Sequence, residues 1–388
     1  MLDLKFIREN LELVKQGLSE KGASSGDIDQ LLQLDAERRR LLVEVEGFKV
    51  KRNKLSDEVS RFLKDGKEVG SILSDGKIVS QKIAEFDKKV GDIEKNIKSI
   101  LDIIPNIPDN SVPKGRDSSS NKIIREWGKK PDFKFKPKDH LALSSQLKWV
   151  SMETGAKVTG SAFPFYLGGG AKLERALINF MLDIHTKKHG YTEVWPPLLV
   201  NRASMRGTGQ LPKLEQDMYA LKDDDYFLIP TAEVPITNIH RDEGLSEDDL
   251  PVKYVAYTPC FRREAGSYGK DTKGLSRVHQ FDKVEMVKFV KPEFSLDELE
   301  SLVKDAEEIL QALEIPYRVV LLASGDMSFA AAKCYDIEAW AAGIEKWFEV
   351  SSCSVFTDFQ ARRMNIRYKP KDGGKPRFVH TLNGSGVA

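Results

Sequence analysis

Cysteine is close to absent from this chain: there are three in 388 residues, Cys260, Cys334 and Cys353, with no pair at CxxC spacing. That excludes a disulfide framework, leaves no zinc site to expect, and suits a reducing compartment. The six histidines form no metal constellation. His185 and His189 stand four apart in HTKKH, but without the acidic partner of a metalloprotease motif, and a solvated helix face is expected for them. No run approaches the ~20 apolar residues of a membrane span, and the first residues hold no apolar signal segment, so no membrane partner and a cytoplasmic location are expected. A dominant charge is missing too. Sixty Lys+Arg against 59 Asp+Glu leave +1, so any nucleic-acid contact must come from local patches rather than a global field. At 40% hydrophobic and 31% charged, the composition is that of a soluble protein long enough for more than one domain.

What the chain does have is helical periodicity. A short helical start (2–18) ends in a Gly/Ser break. Leu31, Leu34, Arg38, Leu41, Val45, Phe48, Arg52, Leu55, Val59 and Phe62 then follow 3-4 spacing. After a break at 64–66 a second series runs from Ile72 through Val79, Ile83, Phe86, Val90, Ile93, Ile97 and Ile100 to Ile104, interrupted at Gly76. Two heptad runs joined by a turn predict an antiparallel coiled-coil hairpin, an arm roughly 50 Å long. Lys49, Lys51, Arg52 and Lys54 lie on its ascending helix among acidic residues. Taken alone they read first as ordinary coiled-coil surface charge, with a strip that grips a phosphate backbone as the functional reading, and sequence position does not separate the two. The arm and its base occupy 1–104; the Pro- and Ser-rich 105–128 predicts an extended, solvated linker, and 129–388 forms the second domain.

That second domain mixes helix and strand. Amphipathic helices are expected at 171–185 and 296–313. Strands are expected at 226–229, 317–322, 335–339, 347–352 and 378–382. The segment 191–200 reads as a strand interrupted by Pro196-Pro197, hence at an edge or bulge where two subunits could meet. RGTGQLPK (206–213) reads as a mobile loop and a candidate lid. The most informative stretch is strand, wide loop, strand: 254–264, 265–276 and 277–290. At period 2, Arg277, Phe281 and Glu285 share one face of the second arm while Val278, Val284 and Met286 share the other. Arg262 and Glu264 share a face of the first. Two arginines, two glutamates and a ring on one sheet surface suit a nucleoside triphosphate beside a small cation, but equally a surface hairpin with weak cross-strand ion pairs.

EVWPPLLVNRASMRGTGQLPK, TAEVPITN, FRREAG, RVHQFDKVEM, SSCS, FTDFQARR and HTLNGSG, in this order after a helical hairpin, resemble the bacterial-type seryl-tRNA synthetases, a class II aminoacyl-tRNA synthetase family, across essentially the whole chain. The resemblance implies an α+β fold, an antiparallel class II sheet flanked by helices, and a homodimer whose arm crosses to the tRNA on the partner subunit. It implies a serine–tRNA ligase: ATP activates L-serine to the adenylate, which is transferred to the 3′ end of tRNA(Ser), and of tRNA(Sec). Carried over residue by residue, Arg262 holds the α-phosphate and, with Glu349, is catalytic. Arg263, Glu264, Arg277, Val278, Phe281 and 349–352 (Glu349, Val350, Ser351, Ser352) bind ATP, with Glu349 and Ser352 holding Mg²⁺. Thr231, Ala232, Glu233, Glu285, Asn383 and Ser385 bind serine, and Lys49, Lys51, Arg52 and Lys54 contact tRNA. Members of the family continue past the NGSG motif into a helix whose arginine clamps the ATP tail. This sequence stops at Ala388, so a longer natural chain is expected. Two other readings are a catalytically weak synthetase-like binding protein, and an amino-acid:carrier-protein ligase. The heptads and scattered cysteines count against the second.

Overall fold

The computed structural model describes residues 1–264 and 274–388 and divides into two compact units. The first comprises 2–19 and 23–104. The expected single starting helix is two, α1 (Leu4–Glu9) and α2 (Leu11–Glu20), separated at Asn10, whose side chain caps the Phe6 carbonyl at 3.1 Å. Then come the arm helices, α3 (Gly26–Lys64) and α4 (Gly70–Ile103), turning at Gly66 with φ +69°. Their seam buries Leu31, Leu41 and Val45 against Val79, Ile83, Val90, Ile93, Ile97 and Ile100. Arg38, a polar intruder in the heptad, bridges to Glu94 of α4 at 2.8 Å, and farther along Phe48 meets Phe86 at 5.6 Å. Asp35 is buried beneath Arg8 (2.8 Å) and Arg39 (3.2 Å).

The second unit holds 105–388 together with Met1 and 20–22. Its centre is an eight-stranded sheet of β1 (Lys122–Trp127), β2 (Thr192–Glu193), β3 (Val252–Phe261), β4 (Gln280–Val290), β5 (Tyr317–Leu321), β6 (Lys333–Ala341), β7 (Lys346–Val355) and β8 (His380–Val387). The spatial order is β1-β5-β6-β7-β8-β4-β3-β2, antiparallel except where β2 runs parallel to β3 at the edge. The linker expectation fails in its second half: 122–127 is a sheet strand paired with β5. Its start is anchored too, because buried Asn106 donates to the Ala330 and Phe356 carbonyls at 2.9 and 2.8 Å.

One face of the sheet is covered by α5 (Gly169–Lys187) and α8 (Ser295–Ala312), whose Leu182, Leu299, Leu302, Val303 and Ile309 pack on Val255, Val284 and Met286. Here the histidine expectation is reversed. His185 is fully buried and His189 nearly so, with His189 Nε2 3.1 Å from Glu308 of α8. On the opposite face, Val287 and Phe289 lie under the short helices α7 (Glu233–Thr237) and α9 (Phe359–Met364). Earlier in β4 the same face carries Phe281, Lys283 and Glu285. A single strand therefore gives one half of its face to core and the other half to a polar floor.

Several expected boundaries moved. The segment 191–200 holds two strands, β2 and a separate Leu199–Asn201. Of the expected mobile loop 206–213, residues 206–208 end helix α6 (Arg202–Thr208), which Gly209 terminates at φ +93°, and Leu211 is buried. NGSG, by itself a turn motif, lies within β8. The hairpin arms are shorter than expected, and 265–273 of its loop lie outside the described residues. No helix among the described residues is long and apolar enough to cross a membrane.

Candidate active site

A cleft of about 580 Å³ opens on the polar half of the sheet face. Of the residues singled out in the sequence, Thr231, Glu233, Arg262, Glu264, Arg277, Phe281, Glu349, Val350, Ser351, Ser352, Asn383 and Ser385 line it. At one end β3 has finished at Phe261, yet pairing persists to Arg262, whose N–H donates to the His279 carbonyl at 2.9 Å. The Arg262 guanidinium lies over the Phe281 ring at 5.1 Å, and its Nε donates to the Pro230 carbonyl at 3.3 Å. Arg277 pairs with Glu264 at 2.7 Å. Glu264 has left extended backbone for φ +50°, so strand parity does not fix its direction. Arg263 and Val278 do not line the cleft. The Arg263 N–H is tied to the Asp217 carbonyl at 2.9 Å, and Val278 is buried.

The wall opposite comes from β7. Glu349 and Ser352 are three apart, which in a regular strand puts them on opposite faces. A bulge corrects this. Ser351 pairs with Ile337 and Glu349 with Glu338, leaving Val350 as the extra residue, so Glu349 and Ser352 share a face with Asp336 and Glu338 of β6. Burial, and then the charge of Glu349, push the Asp336 carboxyl up from its ordinary range. Glu349 is likewise raised by burial, with Arg262 pulling the other way.

The deep end is a buried polar network. Lys283 Nζ contacts Glu285 at 2.5 Å and donates to Thr231 Oγ1 at 2.8 Å. Asn383 Nδ2 donates to Glu285 Oε1 at 2.7 Å, which places Glu285 beneath the cleft lining. Gln360 Nε2 donates to Glu233 Oε1 at 2.7 Å, and its Oε1 accepts from Thr381 Oγ1 at 2.7 Å. Burial first, and Glu285 second, push the Glu233 carboxyl up to about 7, against the Gln360 hydrogen bond and the charges of Lys283 and Arg262. Ala232 packs into the core rather than the cleft.

This geometry can hold a ring and phosphates at one end and a small zwitterion at the other. Residues 1–108 match the seryl-tRNA synthetase N-terminal domain, and 216–388 match the tRNA synthetase class II core domain (G, H, P, S and T). A serine–tRNA ligase of Clostridium tetani is 54% identical over 390 residues, an overlap spanning all of this chain and 92% of that protein. The chain belongs to the seryl-tRNA synthetase family. A second ligase of this family, from Chloroherpeton thalassium, is 53% identical over 394 residues, again all of this chain and 92% of the relative. Among solved structures, the seryl-tRNA synthetase of Pyrococcus horikoshii complexed with ATP superposes with a TM-score of 0.93 at 41% identity, covering 100% of this chain and 92% of that one. The cytoplasmic serine–tRNA ligase of Naegleria fowleri in complex with AMP gives 0.88 at 28%, covering 100% and 91%.

Sequence reasoning missed Lys283 of the synthetase cleft lining, and Asp336 and Gln360, which contact lining residues from behind. Lys283 was legible, since it shares parity with Phe281 and Glu285 on β4. Asp336 needed the bulge at Val350, and Gln360 has partners more than twenty residues away, Glu233 and Thr381, so neither carried a local signal.

Proposed function

We propose that the cleft joins ATP to L-serine, the serine carboxylate attacking the α-phosphorus and expelling pyrophosphate, and that the terminal ribose hydroxyl of tRNA(Ser) then takes the seryl group. The carboxylate is already a nucleophile, so the protein's work is alignment and charge neutralisation rather than covalent or strong base catalysis. The adenine stacks on Phe281, and Glu264 receives its amino group. Arg262, held over that ring, meets the α-phosphate with its planar fork, and Arg277 reaches the distal phosphates after leaving Glu264. Glu233 and Glu285 hold the ammonium, Lys283 offsets one of their two charges, and Thr231, Asn383 and Ser385 enclose the side-chain hydroxyl. An alanine in that enclosure leaves those buried groups unpaired, the arrangement that rejects an analogue lacking a hydroxyl. The observation that carries this reading is β4 itself, which places Phe281, Lys283 and Glu285 on one floor, ring first and charges two and four residues deeper.

Mg²⁺ fits the opposite wall. Glu349 and Ser352 offer hard oxygens beside Asp336, and burial displaces both carboxyls upward, with Glu349 adding to the shift at Asp336. Among the described residues no group of three or more His, Cys, Asp or Glu could hold a metal unaided. The ion would therefore be shared with nucleotide phosphates, whose charge it would neutralise. The proposal includes tRNA contact along the arm through Lys49, Lys51, Arg52 and Lys54, a cytoplasmic setting consistent with three buried free cysteines, and a homodimer. For the homodimer, 81%-exposed Trp195, two residues past the edge strand, and exposed Leu167 and Leu173 offer apolar surface that suits a second copy of the chain. Titration with a non-hydrolysable seryl sulfamoyl adenylate tests the site. Tight binding that falls at least about 100-fold in Arg262→Ala and in Glu285→Gln is expected; undiminished affinity in both variants would overturn the assignment.

A further inference from the structure

The buried histidine pair stands behind the serine end of the cleft. His185 Nδ1 lies 3.0 Å from His189 Nδ1, and His189 Nε2 lies 3.1 Å from Glu308 Oε2. Glu308 also pairs with Lys188, a contact that holds its carboxyl below the ordinary range. Being ionised, it can only accept, so His189 donates to it from Nε2–H, while His189 Nδ1 faces His185 Nδ1 with Asp305 3.8 Å away. Opposite a neutral His189 ring, His185 donates from Nδ1, which leaves its Nε2 as a lone pair. Burial, which drives His185 down to about 3, keeps that imidazole neutral. Its Nε2 is buried with no hydrogen-bond partner among the described residues.

That nitrogen faces Gly386. A Cβ built on Gly386 would fall 2.6 Å from His185 Nε2 and 3.1 Å from Val284 Cγ1. Gly386 is also the extra residue of a bulge: Ser385 pairs with Glu285 and Val387 with Val284. Ser385 is the last residue of the regular register that starts at His380 opposite Val290, and the bulge directly after it lets the strand continue with Val387 opposite Val284. Ser351 secures it from the β7 side, its hydroxyl donating to the Ser385 carbonyl at 2.6 Å.

We infer that His185 is a positioning residue for serine recognition: the Glu308–His189–His185 relay fixes one ring orientation, and that ring is the floor on which Gly386 lies, holding the strand where Ser385 precedes it. The inference rests on the assignment of Ser385 and Glu285 to serine. The test is ATP–pyrophosphate exchange by the full chain carrying His185→Leu, His189→Gln, Gly386→Ala, Ser385→Ala, or His185→Ala with and without Gly386→Ala. Serine KM is expected to rise about tenfold in His185→Leu and Gly386→Ala, and less in His189→Gln, while ATP KM stays within about twofold. Gly386→Ala should cost less in the His185→Ala background, because the atom its methyl would strike is gone. That cycle keeps the test open where His185→Leu fails to fold. Unchanged serine KM in Gly386→Ala, an equal rise in both KM values, or strict additivity in the cycle would overturn the relay. If Ser385→Ala leaves serine KM unchanged, the serine assignment fails and the inference falls with it.

Discussion

Protonation of Glu233 should govern serine affinity. The residue is only 6% exposed, and its carboxyl is pushed up to about 7 by burial and by Glu285. An ammonium bound there needs the carboxylate, so affinity follows the ionised fraction, about one half at pH 7 and about one-eleventh at pH 6. Serine KM at saturating ATP should thus rise about fivefold between pH 7 and pH 6 and approach tenfold per unit below that. In the free protein the sign is opposite. The folded pKa lies above the ordinary 4.5, so this carboxyl's contribution to stability is complete below 4.5 and is lost as pH climbs through about 7. Serine binding restores what is lost, so the serine-induced rise in melting temperature should be larger at pH 8 than at pH 6. Glu233→Gln should leave serine KM high and flat with pH. Lys283→Met, which removes a charge favouring the carboxylate, should move the inflection to higher pH. Exchange kinetics across pH 6–8 decide the matter. A flat serine KM in the wild type, or an identical slope in Glu233→Gln, would refute the reasoning.

Arg262→Ala should lower kcat/KM for exchange by about 10²–10³, the loss typical of one preorganised charge donor, with Arg262→Lys recovering part and melting nearly unchanged. Asn106→Ala leaves the Ala330 and Phe356 carbonyls without their donor and should cost about 2–4 kcal/mol, read as a fall of several degrees in thermal melting. Reversing Lys49, Lys51, Arg52 and Lys54 to glutamate should raise KM for tRNA and flatten its salt dependence by about three in log–log slope, while leaving serine-dependent exchange intact. Equal loss of both activities would contradict the division of labour. Chelation of divalent ions should abolish exchange, and Glu349→Gln should raise the Mg²⁺ concentration needed to restore it.

The arm was legible because a heptad repeat is a local signal: α4 buries most of the residues the spacing nominates, while α3 buries Leu31, Leu41 and Val45 and leaves the later positions half-buried or exposed. The floor of the cleft was legible for the same reason: period 2 on β4 sorts Phe281, Lys283 and Glu285 from Val284 and Met286. What stayed hidden depends on pairing at a distance. Asp336 joins Glu349 only because β7 carries one residue more than β6 at Val350, and no composition encodes that. His185 and His189 read as solvated because Glu308, which draws His189 inward, is 119 residues away. Proline and serine between 105 and 120 concealed the strand that follows them, since Lys122–Trp127 is mostly exposed and gains order from β5 and from the grip of Arg125 on Glu307 of α8. Arg277 faced the same limit, because β4 begins three residues after it and its direction is set by Glu264.

ATP–pyrophosphate exchange with a panel of amino acids, serine, alanine, threonine, cysteine and glycine among them, tests the central claim most directly. Exchange dependent on serine, with alanine weaker by about 10⁴-fold, is the expected result. Exchange with another amino acid in preference to serine, or with none, would contradict it.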